Sequence, residues 1–130
     1  DKVIYVSSLH KAIFVSFKSI KIDTIVSLDV DSTILMVNNN KFVKEDGDAF
    51  TIKEMIAYLE EKEATDIIVT GLLAEKCVSY TLIGGHELGY NMIVIPEAII
   101  GKTEKKKNKA LDKLSRNGIT KMTLSEYIDN

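Results

Sequence analysis

A three-layer α/β protein, with helices on both faces of a mostly parallel sheet, is the fold this sequence predicts. Three observations carry the reading. Short β-rich apolar runs alternate with helical patterns, which is the mark of βαβ units. Runs such as Ile67-Ile68-Val69 are apolar at consecutive positions, as strands buried on both faces are. The composition, 130 residues with 45% hydrophobic, 28% charged and a single Pro, is that of one folded domain. A chain of this length buries roughly 65–70% of its unfolded surface, enough for one core.

The elements follow in order. Residues 3–6 and 34–37 are apolar and read as strands. Between them, residues 10–31 are apolar and β-branched without a clean period or a turn signal. The clearest helix covers residues 51–62. Thr51 and Glu54 have the spacing of a capping box, and Ile52, Met55, Ile56 and Leu59 repeat on one face. A strand over 67–70 leads into a helix over 76–88 that stops at Gly89. Gly84-Gly85 in that helix implies close packing, since each Gly costs about 1 kcal/mol against Ala. A strand over 92–95 precedes a charged helix. Thr103 is its cap, Ala110, Leu111 and Leu114 its inner face, and Gly118 its terminator. The charge run 104–109 is its solvated side. A short run over 121–124 precedes a terminal helical turn.

Charge narrows the partners. Lys plus Arg is 17 and Asp plus Glu is 19, a net charge of −2. That offers no basic footprint for nucleic acid and no polybasic membrane anchor. The longest apolar stretch, residues 67–74, includes Thr70 and Gly71 and falls far short of the ~20 residues of a membrane span. No charged-then-apolar leader opens the chain, so a cytoplasmic location is expected. One cysteine excludes an intrachain disulfide framework and a multi-cysteine zinc site, and two histidines supply few further metal ligands.

The residue placed for chemistry is Cys77. It follows the strand 67–70 and the turn 71–75 and falls in the first turn of the next helix. Ligands of open parallel sheets bind beyond the carboxyl ends of strands. Amide N–H groups and the positive end of a helix dipole favour a thiolate there, and the same amides can hold an oxyanion. Burial as a small apolar residue is the competing reading. Lys41 and Lys44 follow the run 34–37, and a lysine near a thiolate favours its ionised form. His10 follows the first strand as a candidate metal ligand or substrate contact. His86 is given no role.

Residues 66–81, Asp-Ile-Ile-Val-Thr-Gly-Leu-Leu-Ala-Glu-Lys-Cys-Val-Ser-Tyr-Thr, resemble the signature of the isochorismatase-like cysteine hydrolases. That signature is an apolar strand, Gly-Val-Ala-Thr-Asp-x-Cys-Val, and a Thr four residues after the cysteine. Leu88-Gly89-Tyr90 is similar to the family's Leu-Gly-Tyr, and Pro96-Glu97-Ala98 stands where Asp-Ala is usual. Residues 44–50 resemble the Lys-x-x-x-Ser-Ala-Phe segment of the isochorismatase branch. Ser8-Leu9-His10 with Ser16-Phe17 is similar to the nicotinamidase segment Asp-Trp-His … Ser-Phe. From Lys41 onward the match is nearly continuous.

The resemblance implies the isochorismatase-like hydrolase fold in a single domain over residues 1–130. It also implies an amide hydrolase that forms homo-oligomers and acts on a small-molecule amide. In that family a cysteine thiolate attacks the amide carbon, an aspartate on the first strand moves protons, and a lysine supports the charge. Ammonia leaves, and water cleaves the thioester. Carried over, the nucleophile is Cys77, and the oxyanion donors are the N–H groups of Leu73 and Cys77. Isochorismatase spacing selects Lys44; nicotinamidase spacing, counted back from Phe50, lands on Asn38, with Lys41 between. The branch's metal site uses Asp, His and a further His. Here Ser8 replaces the Asp, His10 remains and Phe14 stands where His is common, so a divalent metal (Zn, Fe or Mn) would rest on His10 alone and be weakly held. Ala74 replaces the usual Thr.

The family's first strand, ending in Asp-x-Gln, has no counterpart ahead of Asp1, so the domain is expected to be incomplete at its N-terminus. Leu28-Asp29-Val30-Asp31 has the apolar-Asp pattern but in the wrong order, which leaves the acid unassigned. Nicotinamide hydrolysis to nicotinate is the commonest activity of the histidine-containing branch. The alternatives are an isochorismatase, a carbamoyl-amide hydrolase, and a non-catalytic member that kept the scaffold.

Overall fold

Strands and helices alternate through most of the chain in the computed structural model, which describes residues 3–16, 19–27 and 35–129. Two compact units divide it, Asp1–Asp46 and Gly47–Asn130. The architecture is α/β with parallel strands, as the alternation of runs predicts.

The first unit is a three-stranded sheet in the order β2-β1-β3. β1 (Tyr5–Ser16) pairs antiparallel with β2 (Ser19–Ser27). It pairs in parallel with β3 (Lys41–Lys44), in a register that sets Tyr5 opposite Lys41 and Ser8 opposite Lys44. The described part of the stretch 10–31, residues 10–16 and 19–27, is thus paired β-structure; its β-branched content is the signal that holds. The pairing shifts register between His10 and Lys11, with His10 opposite Val26 and Lys11 opposite Thr24.

The strand expected over 34–37 is corrected. Its described part, residues 35–37, has no strand structure, and Leu35 is 90% exposed. Side-chain amides explain this. Asn38 and Asn40 both donate from Nδ2 to the Val3 carbonyl, at 3.0 and 3.2 Å, and Asn38 Oδ1 accepts from the Asn40 N–H. Such local side-chain bonds compete with a ladder, and the strand begins only at Lys41.

The second unit holds a parallel sheet in the order β4-β5-β6, from Asp66–Leu72, Asn91–Ile100 and Thr120–Lys121. Central β5 carries the core, with Met92, Ile93, Val94 and Ile95 all buried. β4 is not buried on both faces as its apolar run suggests. Its residues alternate between half-buried and exposed, and among the described residues it pairs only with β5.

Around this sheet run α1 (Lys53–Glu61), α2 (Ser79–Glu87), α3 (Glu104–Arg116) and α4 (Leu124–Asp129). The capping box expected at Thr51 and Glu54 does not form. Thr51 is spent in a short 3-10 turn, Ala49–Thr51, where its hydroxyl donates to the Asp48 carbonyl at 2.7 Å. Asp48 caps that turn by accepting the Phe50 N–H at 2.8 Å, and Ile52 is left as the N-cap of α1. α3 matches its reading: the Thr103 hydroxyl accepts the Lys106 N–H, and Ala110, Leu111 and Leu114 are buried. Gly118 ends the connection at φ 85, a conformation that suits glycine. The glycine pair of α2 is a packing feature. A Cβ at Gly85 would fall 2.6 Å from Phe50 Cε2 and 2.8 Å from Met92 Cε. Among the described residues no helix is long and apolar enough to cross a membrane.

Candidate active site

At the carboxyl end of β4 the chain makes an unusual passage from strand to helix. Gly71 takes φ 119, where a side chain would be strained, and the Leu72–Leu73 peptide is cis. A single π turn, Ala74–Val78, then winds around the Leu73 carbonyl, which accepts the N–H of Lys76 at 3.0 Å and of Val78 at 3.2 Å. Within it Lys76 departs from helical geometry, at φ −128 and ψ −105.

Cys77 is on this turn, two residues before α2. It is the chain's single cysteine, unbonded and half-buried. The sequence puts it in the first turn of a regular helix; the structure puts it in the irregular turn that precedes one. Its neighbours Ala74 and Val78 are 0% and 3% exposed and anchor the turn in the core. The Ser79 hydroxyl donates to the Ala74 carbonyl at 2.5 Å and closes the turn onto α2. Leu73 and Cys77, whose amides are the expected oxyanion donors, bracket the same turn.

Glu75 is the residue that the sequence reading missed. Its Oε1 accepts the Lys102 N–H at 2.9 Å, from the connection between β5 and α3. Its Oε2 is buried and has no hydrogen-bond partner among the described residues. The Lys102 N–H is the main cause that holds this carboxyl below its ordinary value of 4.5; its own backbone N–H and the charges of Lys106 and Lys76 act the same way against an opposing effect of burial. The available signal was its place two residues before the cysteine, where the signature has Asp. Its partner is 27 positions away, beyond what local pattern shows. Thr81, four residues after Cys77, holds the segment before α1: its hydroxyl accepts the Ala49 N–H at 3.0 Å.

Lys44 and Lys41 belong to the first unit, Cys77 to the second. Both lysines are on β3, three positions apart, so they point to opposite faces. Lys44 is 7% exposed and donates from Nζ to the Asp46 carbonyl at 3.0 Å, while Lys41 is exposed. His10 is on β1, two positions beyond the residue opposite Lys44; its side chain lies outside the described residues, as does the whole of Asp29. Among the described residues no group of three His, Cys, Asp or Glu could hold a metal ion. The side chains at the positions to which the resemblance points for a metal, Ser8, His10 and Phe14, lie outside the described residues.

Comparisons with known proteins place this geometry in a family. The isochorismatase domain model matches residues 22–126. An isochorismatase-like hydrolase from Alkaliphilus metalliredigens superposes with a TM-score of 0.79 at 21% identity, covering 97% of this chain and 69% of that one. A pyrazinamidase/nicotinamidase from Streptococcus mutans UA159 gives 0.60 at 26% identity, over 63% of this chain and 46% of that one. A pyrazinamidase of Pyrococcus horikoshii, in complex with zinc, gives 0.62 at 16% identity, over 70% and 55%. The chain thus spans 69% of the first of these relatives and about half of the other two. Curated proteins give no match. With its model running through both units and across the cysteine turn, the chain belongs to the isochorismatase family.

Proposed function

We propose that this protein is an amide hydrolase that uses Cys77 as nucleophile, with nicotinamide as its first candidate substrate. The observation that carries the reading is the half-buried Cys77 on a built strand-to-helix turn beyond β4, where a parallel sheet offers its binding edge. The thiolate attacks the amide carbon, and the negative oxygen is held by the N–H groups of Leu73 and Cys77. The C–N bond breaks as a general acid protonates the leaving nitrogen, ammonia departs, and a thioester remains. Water hydrolyses the thioester to the free acid and restores the thiolate. Lys44 is the lysine that supports the charge. Its burial, against an exposed Lys41 on the opposite face of β3, favours it. The family match supports one domain built from both units, because it runs through their boundary at 46/47.

The nicotinamidase among the similar structures supports the choice of substrate. The protein is expected to work in the cytoplasm. It is also expected to form a homo-oligomer, a reading supported by the exposed apolar face of α4, with Leu124, Tyr127 and Ile128. The test is ammonia release from nicotinamide, pyrazinamide and a carbamoyl amide by the purified protein. Cys77→Ala and Lys44→Ala are expected to lower release from the favoured amide by at least a hundredfold, about the scale on which removing a catalytic group acts. Unchanged turnover in Cys77→Ala excludes the cysteine mechanism. Turnover of isochorismate that survives thiol alkylation identifies the alternative hydrolase, and no turnover of any of these identifies a non-catalytic member.

A further inference from the structure

We propose that Glu75 is the positioning residue of the cysteine turn: through the Lys102 N–H its carboxylate fixes the turn that carries Cys77 to the start of α3. The inference rests on the reading of Cys77 as nucleophile and adds a residue to it. Three independent features support it. First, Glu75 is one of five residues in the π turn, and its Oε1 is bonded at 2.9 Å to a backbone amide from another element. That amide, one residue before the Thr103 cap of α3, is a fixed donor rather than a flexible side chain. Second, Oε2 is buried without a hydrogen-bond partner among the described residues. Leaving a carboxylate oxygen so costs free energy, and the contact persists because the turn holds it. Third, the other side of the carboxylate is closed by Gly101. A Cβ there would be 3.0 Å from Oε2 and 2.7 Å from Lys107 Cβ, so the carboxylate is seated where no larger residue fits.

The consequence is local. Lys76, between Glu75 and Cys77, is the residue with non-helical φ and ψ, and such a conformation lasts only where the surroundings over-determine it. The Glu75 bond fixes the residue on one side, and the Ser79 bond to the Ala74 carbonyl fixes the other. Freed from Lys102, the turn can relax, and Cys77 moves from the position that the reaction needs. A displacement of about 1 Å is enough to cost a hundredfold in rate.

The experiment compares Glu75→Ala, Glu75→Gln and Gly101→Ala in the purified protein, each shown folded by circular dichroism. In Glu75→Ala the Lys102 amide should exchange with solvent at least about tenfold faster. Against the favoured amide, kcat should fall at least about tenfold, with KM within threefold. Glu75→Gln keeps an oxygen that accepts from Lys102 and should restore both to within threefold. Gly101→Ala, which presses on the carboxylate from the other side, should resemble Glu75→Ala and serves if that variant does not fold. If Glu75→Ala speeds exchange and leaves kcat unchanged, or leaves exchange unchanged, the proposal is overturned. Labelling of the single thiol by iodoacetamide separates this outcome from a failure of the functional reading. With no amide turned over by the unaltered protein, a labelling rate changed tenfold in Glu75→Ala and restored in Glu75→Gln still supports Glu75, and an unchanged rate refutes it.

Discussion

Gly84 of α2 lies against the carboxylate of Asp48: a Cβ built on Gly84 would be 2.6 Å from Asp48 Cγ. That carboxylate holds the Phe50 N–H at 2.8 Å, and Thr81, one turn earlier on α2, holds the Ala49 N–H at 3.0 Å. The short turn before α1 is therefore docked on a helix face that has no room for a methyl group. Gly84→Ala is expected to destabilise the fold by about 1–2 kcal/mol, because the clash outweighs the ~1 kcal/mol gained in helix propensity. Urea unfolding measures this, and a stabilised variant would show that the Asp48 contact is loose.

The neighbouring position faces the core. Gly85→Ala presses on Phe50 and Met92, which are 7% and 0% exposed, and should cost about 1–3 kcal/mol as overpacking. Leu82, on the same helix and 0% exposed, tests the opposite change. Leu82→Ala should cost about 2–5 kcal/mol through the cavity it leaves, seen as a lower urea midpoint with an unaltered slope.

Glu75 predicts a pH dependence. Its carboxyl is held below the ordinary 4.5 in the folded state, first by the Lys102 N–H. The contribution is therefore present above 4.5 and is lost as pH falls through the lower folded value. The unaltered protein should lose thermal stability on acidification below that point, and Glu75→Gln should lose less. Melting curves between about pH 3 and pH 7, the range around an ordinary carboxylate's titration, compare the two. Parallel acid limbs would contradict the shift.

α4 has the reciprocal cap that α1 lacks. The Thr123 N–H donates to Glu126 Oε2 at 2.6 Å, and the Glu126 N–H donates to Thr123 Oγ1 at 3.1 Å. The Thr123 bonds hold the Glu126 carboxyl below its ordinary value. Thr123→Ala should weaken the cap by about 1 kcal/mol, with faster amide exchange confined to residues 125–129 and an unchanged global midpoint.

These two caps show where local reading works and where it stops. Thr51 and Glu54 have the same spacing as Thr123 and Glu126, yet only the second pair closes on itself. At Thr51 a tertiary element intervened: Asp48, already fixed against α2, drew the hydroxyl to its own carbonyl. The helices α1 and α3 and the strands β4 and β5 are legible because their apolar faces repeat within a single window. β1 and β2 are not, because their apolar and β-branched residues follow no clean period and no turn signal separates them. At the candidate site, Cys77 and the turn could be placed from a run, a glycine and a following helix, and Leu73 through the resemblance. Glu75 could not, since its partner Lys102 is brought near only by the crossover through α2 and β5.

The five-residue π turn also acts as a phase setter for everything after it. An α-helix advances about 100° per residue, so one residue more or fewer between Leu73 and Ser79 would swing Leu82 and Gly85 away from β5 and aim polar neighbours at the core. This segment is thus closed to insertion and deletion, unlike an ordinary surface loop. Its length, as well as its letters, is what descent must preserve.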